Sequence, residues 1–331
     1  MKKILHLAIC IFALLVTACD VHEWPETPEY AQLHLRLDYE TQMTEWRHLY
    51  NGNSVIDQGL GDTYENHYSH GKIRYIVRTY PISEKKRSAP NHIQEFVITR
   101  DIVDGYDYEV TLNLYPGNYN IMVWSDLVES EEDHFYDAGN FSEITLQNDH
   151  QGNTNQRDAF YGKGNILLHA STTYGQTDTI DISMNRPLAK FEIIANDLAA
   201  FIKSKAEDID KCRVRIHYIG YMPDAFSLFT NKPIDSTTGV MFETTLKELN
   251  STEASMGFDY VFTGEKESAI TIQIGVYDED GEQIAITDLI KVPLKPNYHT
   301  ILTGSFLMHN ASGGVNLNPG FDGNYNIVMP Y

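Results

Sequence analysis

Only three cysteines occur in 331 residues, Cys10, Cys19 and Cys212. Two of them lie in the first 19 positions, so a disulfide-stapled fold is excluded for the body of the chain. Basic residues are also scarce: 25 Lys and Arg stand against 46 Asp and Glu, a net charge of −21. That balance argues against nucleic acid and against an anionic membrane surface as electrostatic partners. After residue 18 no apolar run approaches the roughly 20 residues a spanning helix needs. Serine-hydrolase elbows, HExxH, phosphate loops and dinucleotide fingerprints are missing as well. No catalytic pair can be singled out among so many acids, so the sequence predicts neither an enzyme nor a cofactor.

What is present starts at the N-terminus. Lys2 and Lys3 precede a nearly unbroken apolar stretch, Ile4 to Val16, and Val16-Thr17-Ala18-Cys19 follows. A stretch of about 13 residues suits the core of an export signal. The motif resembles a bacterial lipobox, which implies acylation of Cys19 and removal of residues 1–18. The alternative is a plain signal peptide with a chance cysteine. Removal would leave 23 basic against 46 acidic residues. Two or more acyl chains, at about 0.8 kcal/mol per buried methylene, hold a domain firmly on a membrane. Asp20 to Tyr30 (DVHEWPETPEY) then reads as an extended, solvated tether, so that 19–30 forms a linker.

Beyond the tether the pattern is that of strands. Leu33, Leu35, Leu37 and Tyr39 alternate with polar residues, which predicts a half-buried strand. Thr41 to Gly71 is polar and without period, and reads as loops with short elements. Ile73 to Tyr80 is rich in β-branched and aromatic residues. Asp107 to Asp126 predicts a hairpin turning at Pro116-Gly117, with Leu114 opposite Tyr119, Leu112 opposite Ile121 and Val110 opposite Val123. Ile180, Ile182 and Met184 alternate, Arg186-Pro187 interrupts, and Ala189, Phe191, Ile193 and Ala195 form the next row. A domain boundary is expected near Asn185. Asn196 or Asp197 can cap a short helix with Leu198, Phe201 and Ile202 on one face. Cys212, Val214, Ile216 and Tyr218 form another row, which makes Cys212 a small buried hydrophobe. Ile270–Val276 and Ile284–Ile290 predict a second hairpin around Glu279-Asp280-Gly281, with Val276 facing Ile284 and Ile274 facing Ile286. Tyr325, Ile327 and Met329 alternate in a last strand. The expected class is all-β, two β-sandwiches in tandem with a short helix in the second: 31–185 and 186–331.

Candidate chemistry is thin. Asp278-Glu279-Asp280-Gly281 lacks the spaced acids of a calcium loop and is explained by the hairpin turn. The acidic run at Glu129, Glu131, Glu132 and Asp133 is a weak divalent candidate or a solvated loop. His67 and His70 beside Glu65 have a spacing that scattered histidines give by chance. No metal site is expected. Trp46 and Trp124 are either sugar-stacking platforms or core residues.

Several stretches in order resemble one family: CDVHEWPE (Cys19–Glu26), RYIVRTYP (Arg74–Pro81), YPGNYNIMVWSD (Tyr115–Asp126) and RDAFYG (Arg157–Gly162). FTNKPIDSTTGV (Phe229–Val240) and NPGFDGNYNI near the end continue the series. They are similar to FimB-type anchor subunits of type V fimbriae, lipoproteins encoded beside fimbrillins in Bacteroidales-type bacteria. The resemblance implies tandem transthyretin-like sandwiches, outer-membrane anchorage through the lipid on Cys19, and fimbrillin stalk subunits as partners. It implies no catalytic residue. Stalk subunits of that class lose their N-terminal strand to an arginine-directed protease, whereas an anchor keeps it. Arg36 is then expected to be shielded within its strand and Arg47 to be the exposed risk. Strand addition makes Tyr325, Ile327 and Met329 the candidate donor row, unless the strand simply closes its own sandwich. A surface lipoprotein that binds glycans is the other reading.

Overall fold

Alternation shapes the first element. Ala31, Leu33, Leu35, Leu37 and Tyr39 are buried while Gln32, Arg36 and Asp38 stay exposed, so strand β1 (Ala31–Tyr39) presents one apolar face. A computed structural model describes residues 30–309 apart from 66–71, 83–91, 95–99, 102–107, 129–134, 148–149, 170–176, 206–208 and 265. The strands that follow β1 are β2 (Gln42–Tyr50), β3 (Val55–Glu65), β4 (Lys72–Pro81), β5 (His92–Gln94), β6 (Arg100–Asp101), β7 (Tyr108–Leu114) and β8 (Gly117–Val128). Next come β9 (Tyr136–Asp137), β10 (Ile144–Leu146), β11 (Ala159–Leu168), β12 (Thr177–Met184) and β13 (Leu188–Ala195), then helix α1 (Leu198–Lys205). The rest are β14 (Arg213–Tyr218), β15 (Met222–Ser227), β16 (Lys232–Thr237), β17 (Met241–Thr245), β18 (Lys247–Glu248), β19 (Ala254–Phe262), β20 (Ser268–Tyr277), β21 (Gln283–Ile286), β22 (Ile290–Leu294) and β23 (Tyr298–Gly304).

These strands build the expected all-β architecture of two sandwiches, with α1 in the second. In the first, sheet β12-β1-β7 faces sheet β11-β8-β4, and β5 and β6 both pair with the free side of β4. Leu33, Leu35 and Leu37 meet Tyr75, Val77, Ile121 and Val123 in its core. In the second, the six strands β18-β19-β13-β23-β2-β3 face β17-β14-β20, with β21 and β22 sharing the far side of β20. Phe191 and Ile193 meet Val214, Ile216, Ile272 and Ile274 there, and Leu198 and Phe201 of α1 join the same core with Cys212. Each fully buried Leu, Ile or Phe contributes about 1.5–3 kcal/mol.

A third cluster binds the sandwiches together. The outer face of β4 and β8, carrying Ile76, Met122 and Trp124, packs on Tyr136, Phe141, Ile144, Phe226 and Phe262. Much of that cover is a four-stranded sheet, β16-β15-β10-β9, to which both halves of the chain contribute. β4 and β8 are thus buried on both faces. This is why Ile73–Thr79 and Ile121–Val128 read as continuous runs and not as alternations.

Several sequence expectations are corrected. β7 and β8 do not form a hairpin: β7 pairs with β1, and β8 with β4 and β11. Val110, Leu112, Leu114, Tyr119, Ile121 and Val123 do share one core, but across the sandwich. A corner at Pro116 satisfies the same apolar pattern as a ladder would. Thr41 to Gly71 contains two long strands, β2 and β3. The polar sequence hid them because β3 is a sheet edge with mostly exposed side chains. A single cut near Asn185 does not separate the sandwiches, since β2 and β3 belong to the second one, where β2 lies parallel to β23. The second hairpin turns at Gly281 with φ +84°, as its left-handed position requires. Its register is shifted by a bulge, with Val276 opposite Ala285 and Gly275 opposite Ile286. Ala285 is accordingly the buried residue, and Ile284 lies only partly buried. The expected strand Ile284–Ile290 is split at Thr287, whose hydroxyl accepts from the Ile274 amide at 3.0 Å.

Candidate functional site

The strand that opens the described chain is the first candidate. Tyr30, the first described residue, packs its ring 4.5 Å from that of Tyr115, and their hydroxyls lie 2.9 Å apart. β1 then enters the middle of its sheet. Residues 32–39 pair parallel with Thr177–Met184, and residues 31–37 pair antiparallel with Tyr108–Leu114. Ladder bonds run across a strand, so a pull along β1 from its N-terminus loads both ladders together in shear. Leu33 and Leu35 are fully buried beneath them. A strand held this way resists extraction far better than an edge strand.

Arg36 lies in the middle of that doubly paired strand. Its guanidinium grips Asp181 through two bonds, Nε–Oδ1 at 2.6 Å and Nη2–Oδ2 at 2.9 Å. Both side chains are exposed, so the pair contributes only about 0–1 kcal/mol. Protection of the Arg36 backbone comes from the ladders. Arg47 departs from its expected loose setting: it sits in β2 between β23 and β3, bonded to Glu45.

The second feature is a buried seam of three arginine–carboxylate pairs between the sandwiches. Arg157, 2% exposed, donates to Asp259, which is fully buried in β19. His150 Nε2 lies 2.6 Å from Asp259 Oδ2, the Tyr218 hydroxyl donates to that oxygen at 2.5 Å, and the Tyr260 amide donates to Oδ1 at 2.7 Å. Burial pushes the Asp259 carboxyl up, but Arg157, His150 and Tyr218 outweigh it and hold the group below the usual carboxylate range. With these partners in place the carboxylate joins elements and is not poised to move a proton. Arg186 bonds Asp158 at 2.7 and 2.9 Å and donates to the carbonyls of Glu40 and Thr41, each at 3.2 Å. One guanidinium therefore pins two of the places where the chain crosses between sandwiches, residues 40–41 and 185–187. Arg74 bonds Asp126 at 2.8 and 2.5 Å and reaches the Tyr136 carbonyl at 2.9 Å.

The third feature is a cleft of about 750 Å³ lined by Trp46, His48, Tyr50, Asp57, Leu289 and Lys291 among others. The Trp46 indole donates to Asp57 Oδ1 at 3.2 Å and stands edge-on to His48, ring centres 4.6 Å apart. His48 is 4% exposed, neither ring nitrogen has a hydrogen-bond partner among the described residues, and burial holds its imidazole below the usual range.

Of the residues singled out from sequence, Cys19, Tyr325, Ile327 and Met329 lie outside the described residues, as do His67, His70 and the acidic run at 129–133. Trp124 is fully buried and donates to Asp126 at 3.1 Å, which makes it core and no sugar platform. Trp46 borders the cleft with 9% of its surface exposed. Cys212 is buried in the second core. At Asp278–Gly281 the carboxylate of Asp278 accepts from the Glu282 amide at 2.8 Å, a turn contact. Among the described residues no group of three His, Cys, Asp or Glu is placed to hold a metal ion. Sequence reasoning missed the seam. The signal available was partial: Arg74 interrupts the apolar and aromatic stretch Ile73–Tyr80 and Arg186 directly precedes Pro187 and Leu188, whereas Arg157 follows a polar run and carries no such mark.

A family described as one of unknown function, DUF6562, matches residues 27–330. No curated protein matches the sequence. Among solved structures, the chain is similar to the fimbrial anchor protein Mfa2 from Porphyromonas gingivalis, with 9% identity over 78% of this chain and 82% of that one, TM-score 0.38. It is also similar to a candidate adhesin from Bacteroides ovatus, with 12% identity over 78% and 75%, TM-score 0.40. A third is a candidate polysaccharide-binding protein from Bacteroides thetaiotaomicron, with 12% identity over 78% and 80%, TM-score 0.41. These scores mark a loose likeness.

Proposed function

We propose that this chain, which belongs to the DUF6562 family, is a cell-surface subunit of the fimbrial-anchor kind, held on the outer membrane by a lipid on Cys19. The sequence supports the anchor through its charged start, short apolar run and Val16-Thr17-Ala18-Cys19. The order of family-like stretches along the mature chain supports the fimbrial role. The observation that carries the reading is the placement of β1. The strand nearest the tether is clamped between β12 and β7, so a force entering at residue 30 meets two ladders in shear. A seam of buried ion pairs then passes that force to the second sandwich. In this reading fimbrillin stalk subunits are the partners, and Tyr325, Ile327 and Met329 are the apolar row that joins the neighbouring subunit by strand addition. Such a subunit ends a polymer at the membrane.

Cys19→Ala tests the anchor. The variant is expected to leave the detergent phase for the aqueous phase and to lose palmitate labelling, and cells carrying it are expected to shed fimbriae. Unchanged membrane partitioning, with no label in the parent protein, would refute the lipid.

A further inference from the structure

The row of β13 that faces the first sandwich begins with Leu188, which shares a cluster with Ile76, Met122 and Trp124 between the sandwiches. Lys190 and Glu192 follow in the same row at a period of two. Lysine is rarely buried unless it is paired. Lys190 is 7% exposed, and among the described residues it forms no ion pair. Its Nζ stands over two rings of the neighbouring strand β19, 4.5 Å from the centre of Phe258 and 5.6 Å from that of Tyr260. Burial holds the amine below its usual range and outweighs the charges of Glu192 and Asp158. A desolvated lysine of this kind is a competent nucleophile.

One polar group meets the amine. Nζ lies 3.3 Å from Oδ1 of Asn155, which opens the turn Asn155–Arg157 leading into β11 of the first sandwich. The Tyr260 hydroxyl donates to the same oxygen at 3.1 Å. The carbon Cγ is one bond, about 1.2 Å, from Oδ1. Small torsional changes of the lysine therefore bring Nζ to the roughly 3–3.5 Å separation of a near-attack geometry. An amine in an apolar setting, a primary amide, and a phenol polarising the amide oxygen are the parts of an acyl transfer.

We propose that Lys190 and Asn155 condense into an isopeptide bond from Nζ to Cγ, releasing ammonia, so that the protein ties its two sandwiches together covalently. Nζ attacks Cγ, and the charge gathering on Oδ1 is met by the Tyr260 hydroxyl. The bond from Cγ to Nδ2 then breaks. One proton of Nζ ends on Nδ2, which departs as ammonia, and the other stays on the new secondary amide. No oxidant, reductant or cofactor enters the balance. Glu192 is assigned to carry the proton, because its charge acts on Lys190 more strongly than any other carboxylate does. It does so by turning from Ser255 Oγ, 2.8 Å away. Asn155 is half-buried, which leaves ammonia a way out. The bond lies beside the seam and joins the turn before β11 to β13. Tension between the sandwiches then meets a covalent link as well as ion pairs. The inference does not rest on the fimbrial reading.

Mass spectrometry of the denatured full chain carrying Cys19→Ser tests it. The protein should be lighter than its sequence by one ammonia. Its tryptic digest should hold one branched peptide joining the segments of Asn155 and Lys190, uncut after Lys190. Lys190→Arg and Asn155→Ala should each restore the full mass. Tyr260→Phe should slow the appearance of the lighter species in newly synthesised protein by about a hundredfold, the loss expected for one oxyanion donor. A parent at full sequence mass and cut after Lys190 would overturn the proposal, whether or not the variants fold. Loss of ammonia mapped to a peptide without Lys190 would overturn it too, and an unchanged rate in Tyr260→Phe would remove that hydroxyl from its role. Cys19 lipidation and fimbrial retention are read on membranes and cells, so their outcomes stay distinct from this one.

Discussion

Replacing Asp259 with asparagine should cost the protein more than any exposed ion pair could. The carboxylate is fully buried, its partner Arg157 is 2% exposed, and the pair joins the turn before β11 in the first sandwich to β19 in the second. Exposed pairs contribute about 0.2–1 kcal/mol, but that figure assumes water around both charges. Here Asp259→Asn keeps the shape and strands the guanidinium of Arg157 without a counter-charge, and breaking a buried pair in this way costs about 3–5 kcal/mol. At roughly 2 °C per kcal/mol for a chain of this length, the melting temperature should fall by about 6–10 °C. Calorimetry is the assay, because it also counts transitions: the parent should melt in one, since the seam and the shared sheet tie the sandwiches together. The pH dependence has a definite sign. The folded carboxyl lies below its ordinary value of 3.8. Its contribution is therefore complete above that value and is lost as pH falls through and below it. The penalty of Asp259→Asn should shrink in acid below about pH 4. A loss under about 2 °C at pH 7, or two separate transitions in the parent, would refute the reasoning.

Leu35→Ala empties a fully buried position on β1 and should lower stability by about 2–5 kcal/mol, measured by urea unfolding. Arginine-directed proteolysis of the folded protein should leave the bonds after Arg36 and Arg47 intact, because both residues lie in strands paired on two sides; mature surface protein starting just after either residue would contradict the anchor reading. The buried His48 imidazole is held below its ordinary 6.5, so the stability it permits is present above that pH and lost as pH falls beneath it. The melting temperature of His48→Phe should therefore drop less between pH 7 and pH 5 than that of the parent, and an equal drop would assign the slope to other groups.

Local pattern determined much of this protein. Leu33 to Tyr39, Ala189 to Ala195 and Cys212 to Tyr218 alternate at period two, and each buries the row that its alternation names, because a pleated strand has only two faces. The turn at Gly281 follows from the backbone conformation that glycine permits. The helix with Leu198 and Phe201 inside follows from its spacing, although Ile202 of the same predicted face is 43% exposed. Strand partners are another matter. Val110 to Leu114 and Tyr119 to Val123 fit a ladder and a facing pair of sheets equally well, since both arrangements turn the two rows toward one another. Only packing decided for the second. β3 carries polar residues because it lies at the edge of its sheet, and the union of β2 with β23 joins residues more than 200 positions apart. Separation hides the seam as well: Arg157 and Asp259, 102 positions apart, look like two of many charges until folding removes the water from both. A charge records its type in the sequence, but its burial, and hence its energetic weight, is a property of the tertiary structure alone.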